Sequence, residues 1–198
     1  YDNIKSVVND YLKEGIAHTL DETRNLSDSG QFEDISLQQG IRQILYPYEE
    51  MEVLNPEWEV ILKDIIDSLF EQMSDEEYNI LNEEFGTYMV SRAYEYRQLL
   101  EYLVFRYFAK SIYDYDFLGK CQMLVTNFFV IRQMDIIRWL DNHREYSFKD
   151  RMDVVHIFSR QVEYSEDNIE NLYEDFIFDD IFKTDSLIAI LWIDSENI

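Results

Sequence analysis

"FLGKCQMLVTNFFVIRQMDIIRWLDN", residues 117–142, decides the fold. Its apolar residues fall on every side of a 3.6-residue helix rather than along one stripe. Such a helix is buried all round, so the segment predicts an all-α fold, a multi-helix bundle with a central hydrophobic helix at about 117–142. Arg132, Asp135 and Arg138 interrupt it. Isolated charges there would cost on the order of several kcal/mol each, so each is expected to have an opposite partner. The first expectation is an internal ion-pair network that fixes helix register. The functional alternative is an anionic-ligand pocket lined by Arg132 and Arg138.

Working outward, "YEYRQLLEYLVFRYFAKSIYDYD" (94–116) reads as one long helix. Arg106, Lys110 and Asp114 then stand at i, i+4 and i+8 on a shared face and join the candidate network. Ser147 caps "SFKDRMDVVHIFSRQVEY", Ser165 caps "SEDNIENLYEDFIFDDIF", and Thr184 starts a short last helix, "TDSLIAILW". On the other side, Ser74 caps a helix through Tyr78, Leu81, Phe85 and Tyr88, with a break expected near Gly86. Asn55 followed by Pro56 starts another, with Trp58, Ile61, Leu62, Ile65, Ile66 and Leu69 on one face. Residues 32–46 predict a helix ended by Pro47, and residues 3–24 a first helix followed by a loop at 25–31.

The totals fit this reading. With 5 Gly, 2 Pro and 31 aromatic residues (13 Phe, 15 Tyr, 3 Trp) in 198, the chain favours helix and a large core over disorder. The net charge is −24: −16 over residues 1–90, +1 over 91–163 and −9 over 164–198. This predicts one helical domain with an acidic peripheral lobe at 1–90 and a helical core at 91–198. It also argues against nucleic acid or an anionic membrane as partner. No apolar run is long enough to span a bilayer. The single cysteine, Cys121, forbids an internal disulfide or a cysteine-ligated cluster and suits the cytoplasm; it is expected to be a buried, inert thiol. The chain starts at Tyr1 and is read as a fragment of a longer protein.

Catalytic signatures are absent: no GxSxG, HExxH, GxxxxGK or GxGxxG occurs. Two His–carboxylate spacings exist, Asp153/His156 and Glu14/His18, but a di-iron bundle needs two Glu-x-x-His helices and further inward acids. A carboxylate metalloenzyme is therefore the weakest reading, and no metal ligand is assigned. Along the 147–164 helix, which runs into "HIFSRQVEYSEDN" (156–168), Phe148, Met152, Val155, Ser159 and Val162 trace the expected buried stripe, with Ser159 at a close helix contact. His156, Arg160 and Glu163 form the adjacent edge, a candidate groove rim that bonds to neighbouring helices.

Three stretches, "YLVFRYFAKSIYDYDFLGK" (102–120), "VIRQMDIIRWLDN" (130–142) and "HIFSRQVEYSEDN" (156–168), together resemble the C-terminal helical region of bacterial flagellin lysine-N-methylases. The resemblance covers about residues 56–193. It implies a parent enzyme that methylates flagellin lysines with S-adenosylmethionine. It also implies a cysteine cluster, associated with an iron–sulfur centre, in an N-terminal part outside this chain. No catalytic residue carries over. The expectation is a non-catalytic domain that supports the N-terminal catalytic region or docks substrate, with that region and flagellin as candidate partners. The alternative is an acidic helical protein-interaction domain unrelated to methylation.

Overall fold

The computed structural model describes residues 35–196, and no strand occurs among them. The helix expected at 3–24, the loop at 25–31 and the Glu14/His18 pair lie outside the described residues. One compact unit begins at Ser36. Its helices are α1 (Leu37–Glu49), α2 (Pro56–Ile65), α3 (Asp75–Met89), α4 (Ala93–Phe108), the short α5 (Ser111–Asp114), α6 (Phe117–Asp141), α7 (Phe148–Phe158), α8 (Glu166–Phe178) and α9 (Thr184–Glu196). Two of them end in π-helical turns, Ile66–Glu71 after α2 and Ser159–Glu163 after α7.

α6 is the axis of the bundle. Every residue from Phe129 to Ile137 is buried, and the helix packs against α1, α2, α4, α7, α8 and α9. Around it the aromatic side chains stack edge to face or tilted: Trp58 with Phe158 (6.3 Å between centroids) and Phe85 with Trp139 (5.4 Å). Such pairs add to the area they bury.

Local chemistry sets the helix starts. Asn55 accepts the Glu57 amide while Pro56 needs no partner at the first helical position. Ser74/Glu77 and Ser147/Asp150 form reciprocal capping boxes, and Ser165 accepts the Asn168 amide. The ends differ more from expectation. α1 runs two residues past Pro47, which lies in the last turn. α3 passes through Gly86 without a break, because the glycine is buried within the helix. α9 reaches Glu196 rather than stopping near residue 192.

The expected 94–116 helix is broken. α4 stops at Phe108, where Ser111 Oγ donates to the Phe108 carbonyl (2.7 Å). The chain then makes one turn and reverses through Tyr115 in the left-handed region (φ 57°). Residues 36–90 are not peripheral either: Ile44, Leu45, Trp58, Leu69 and Phe85 belong to the core. Their acids occupy the outer faces of helices whose inner faces meet α6.

The caps carry a pH prediction. The Glu77 carboxyl lies below its ordinary value because it accepts from the Ser74 amide and hydroxyl. Burial pushes Asp150 up, but the Ser147 hydroxyl and amide and the Asn142 amide more than offset it, so it too is lowered. A carboxylate with a depressed folded pKa contributes stability above its unfolded value and loses it as pH falls through the folded one. Asp150→Asn should therefore flatten the loss of stability as pH falls below the ordinary carboxylate range. Parallel acid limbs in urea melts of the two proteins would contradict this.

Candidate functional site

Arg132 and Asp135 are both buried but stand in separate clusters. Arg132 donates through Nε and Nη2 to Asn82 Oδ1 (3.2 and 3.0 Å), and Asn82 Nδ2 donates to Asp194 Oδ1 (2.8 Å). Asp194 also faces Arg132 directly at 3.6 Å. Asp135, wholly inaccessible, pairs with Arg151 of α7 and accepts from the Tyr146 hydroxyl and from Tyr96 Oη (2.7 Å). The Arg151 guanidinium lies 4.3 Å from the Tyr96 ring and 5.4 Å from the Tyr146 ring. Its second carboxylate, Glu95 (3.4 Å), is shared with Arg92 (2.8 Å). Burial pushes the Asp135 carboxyl up, while Arg151, Tyr146 and Tyr96 draw it back. Burial also opposes the Arg151 charge, but Asp135, Tyr96 and Tyr146 together more than offset this. With every acceptor of Asp135 engaged, this cluster is architecture rather than an open site.

The other members of the expected network do not join it. The break after Phe108 takes Arg106, Lys110 and Asp114 off a common face. Asp114 pairs instead with Lys120 (2.9 Å), which also lies 4.3 Å from the Tyr173 ring. Arg106 lies 5.8 Å from the Tyr107 ring, and Lys110 is exposed. Arg138 points away from Arg132 into a surface groove.

The buried face of α7 is also not the expected one. Phe148 and Met152 are exposed (64% and 52%), and Arg151, Val154, Ile157 and Phe158 face inward. Arg151 must reach Asp135, which fixes the rotation of the helix. The π-helical turn then brings Gln161, Val162 and Glu163 into the interior. Of the three expected rim residues, His156 and Arg160 are exposed while Glu163 is buried. Glu163 accepts from Ser159 Oγ (2.6 Å), Tyr102 Oη (2.8 Å) and Tyr107 Oη (3.3 Å). Ser159 is thus a donor to Glu163 rather than a spacer at a helix crossing.

Sequence reading missed Gln161 and Asn168. Gln161 Oε1 accepts the amides of Leu54 and Asn55 (2.9 and 3.2 Å), and its Nε2 donates to the Glu52 carbonyl (2.7 Å). Asn168 Oδ1 accepts the Glu52 amide (3.0 Å). These two amides tie the loop before α2 to the α7–α8 corner. The only sequence signal was an amide side chain inside an otherwise apolar face.

That loop positions one wall of the groove. α2, α6 and α7 enclose about 480 Å³. Val60, Ile61, Met134, Ile137 and Ile157 supply an apolar lining, and Glu57, Asp64, Asp141 and Asp153 supply carboxylates, with Arg138 and His156 also present. Four carboxylates against one guanidinium make it unsuited to an anion, and its chemistry matches an aliphatic stem ending in a cation.

A cysteine-ligated iron–sulfur cluster does not fit a chain with one cysteine. Cys121 is half-buried and burial pushes its thiol up, so it is neither a cluster ligand set nor a ready thiolate. Among the described residues no three His, Cys, Asp or Glu side chains are grouped to hold a metal ion. None of the described helices is long and apolar enough to cross a membrane. Comparison with curated proteins and with solved structures gives no match. A family model described as the FliB lysine N-methylase C-terminal domain matches residues 1–190. With that match spanning nearly its whole length, this chain, with only helices and loops among its described residues, belongs to the FliB lysine N-methylase C-terminal domain family.

Proposed function

We propose that this domain is non-catalytic and docks the lysine-bearing segment of the substrate for a catalytic region elsewhere in the same polypeptide. The substrate class is flagellin, and the S-adenosylmethionine and iron–sulfur sites lie outside this domain. The observation that carries the reading is the α2–α6–α7 groove, whose aliphatic lining suits a lysine stem and whose four carboxylates suit its ammonium. The single cysteine of the chain supports a non-catalytic role.

The test is binding of a lysine-rich flagellin peptide and of the same peptide acetylated on its lysines. Acetylation removes the charge and should weaken binding at least tenfold. Asp141→Asn with Asp153→Asn should weaken the unmodified peptide to a similar degree. Glu170→Gln with Glu174→Gln, on the distant α8, should change it less than twofold. If acetylation is neutral, or if the α8 pair matters as much as the groove pair, general acidity explains the attraction and docking in the groove is wrong.

A further inference from the structure

In a chain with 31 aromatic residues among 198, no Phe, Tyr or Trp of the described residues lines the α2–α6–α7 groove. Its apolar wall is aliphatic: Val60, Ile61, Met134, Ile137 and Ile157. Three aromatic side chains stand next in sequence to lining residues, and all three are buried in the core. Trp58, beside Glu57, packs on Phe158, beside Ile157, at 6.3 Å between centroids, and its indole N–H donates to the Tyr48 carbonyl (3.4 Å). Trp139, beside Arg138, packs on Phe85 at 5.4 Å and on Tyr88 at 5.6 Å. The helix rotations that bury these rings present aliphatic and acidic residues to the groove instead.

Such a lining tells one form of lysine from another. An unmodified ammonium carries three N–H donors, and its charge-assisted bonds to carboxylates are strong. Among the described residues Glu57, Asp64, Asp141 and Asp153 hold no ion pair or side-chain hydrogen bond, so their oxygens are free to accept. Trimethylation keeps the charge and removes all three donors. A quaternary ammonium is then held best by the faces of aromatic rings, which the groove lacks. Size does not discriminate, because about 480 Å³ admits either head group.

We infer that the groove reads methylation state: it takes an unmodified lysine and releases a trimethylated one. The inference rests on the docking of lysine in this groove and adds which form of lysine is held. Coulombic attraction survives trimethylation, so the trimethylated side chain ranks between the unmodified and the acetylated one. Once fully methylated, the same lysine is a weaker ligand, and docking selects substrate over product.

The probes are three forms of one flagellin peptide with a single central lysine: unmodified, trimethylated and acetylated. Each is titrated against the full 198-residue chain by calorimetry. The trimethylated peptide should bind roughly fivefold or more weakly than the unmodified one, and the acetylated peptide more weakly still. In Asp141→Asn with Asp153→Asn the unmodified and trimethylated peptides should agree within about twofold, because the charged acceptors that separate them are gone. An unchanged melting temperature confirms folding, and Glu57→Gln with Asp64→Asn on α2 takes the place of that pair if it unfolds. If acetylation is neutral, lysine docking itself fails and the inference falls with it. If acetylation weakens binding but the trimethyl penalty stays below fivefold, docking stands and the reading of methylation state is overturned. A trimethyl penalty above twofold in the folded groove variant also overturns it, since the difference then arises elsewhere.

Discussion

Asp135→Ala is expected to lower the unfolding free energy by about 3–5 kcal/mol, a large part of the margin of an ordinary domain. The carboxylate is wholly inaccessible and receives Arg151, Tyr96 and Tyr146 at once. Its removal leaves a guanidinium that is itself buried. The remaining carboxylate, Glu95, is 3.4 Å from Arg151 and already bound by Arg92. The side chain cannot swing into water without dragging the buried face of α7 off α6. Asp135→Asn should cost less, because it keeps one acceptor for the tyrosines. The double substitution Asp135→Leu with Arg151→Met should recover much of the loss, since the cost lies in an unpaired charge rather than in the pair itself. Urea melts of the three variants measure this. A loss under about 0.5 kcal/mol for Asp135→Ala would mean that the site is solvated.

The centre of this fold was legible because burial on all sides leaves a local mark. From Phe129 to Ile137 apolar residues occupy most of the helix circumference despite Arg132, Gln133 and Asp135, and that segment is the axis. The helix starts were legible for a similar reason. Asn55, Ser74, Ser147 and Ser165 act on amides two or three residues away. Partner choice is tertiary and leaves no such mark. Nothing near Arg132 in sequence points to Asn82 or Asp194, and a spacing argument joined Arg132 to Asp135 because both interrupt one helix. The face of α7 was misread for the same reason. Phe148, Met152 and Val155 make the more apolar stripe, yet the Arg151–Asp135 pair outweighs it and turns that stripe toward solvent. The groove combines α2, α6 and α7, so its carboxylates, Glu57, Asp64, Asp141 and Asp153, come to line one groove only in the folded chain.

Gln161→Leu is the second large effect expected, a loss of about 2–3 kcal/mol. The residue is wholly inaccessible and its amide makes three bonds to one loop: two accepted, from Leu54 and Asn55, and one donated, to Glu52. Leucine fills similar space and returns none of them. Asn168 still donates to the Glu52 carbonyl (3.0 Å), so that group keeps a partner, but the two amides lose theirs. Buried amides without acceptors carry their desolvation cost in full, and partial exposure of Leu54 lets water recover some of it. The effect should reach beyond stability. Asn55 is the cap of α2, and α2 carries Glu57, Val60, Ile61 and Asp64 into the groove. Loosening that cap should speed hydrogen exchange at Leu54 and Asn55 and weaken lysine-peptide binding, while leaving the Asp135 cluster intact. His156→Gln is the control: the side chain is exposed at the same groove, and its cost should stay within about 0.5 kcal/mol. If Gln161→Leu costs less than His156→Gln, or if the two amides stay protected, the loop is held by its own backbone and the groove wall does not depend on α7.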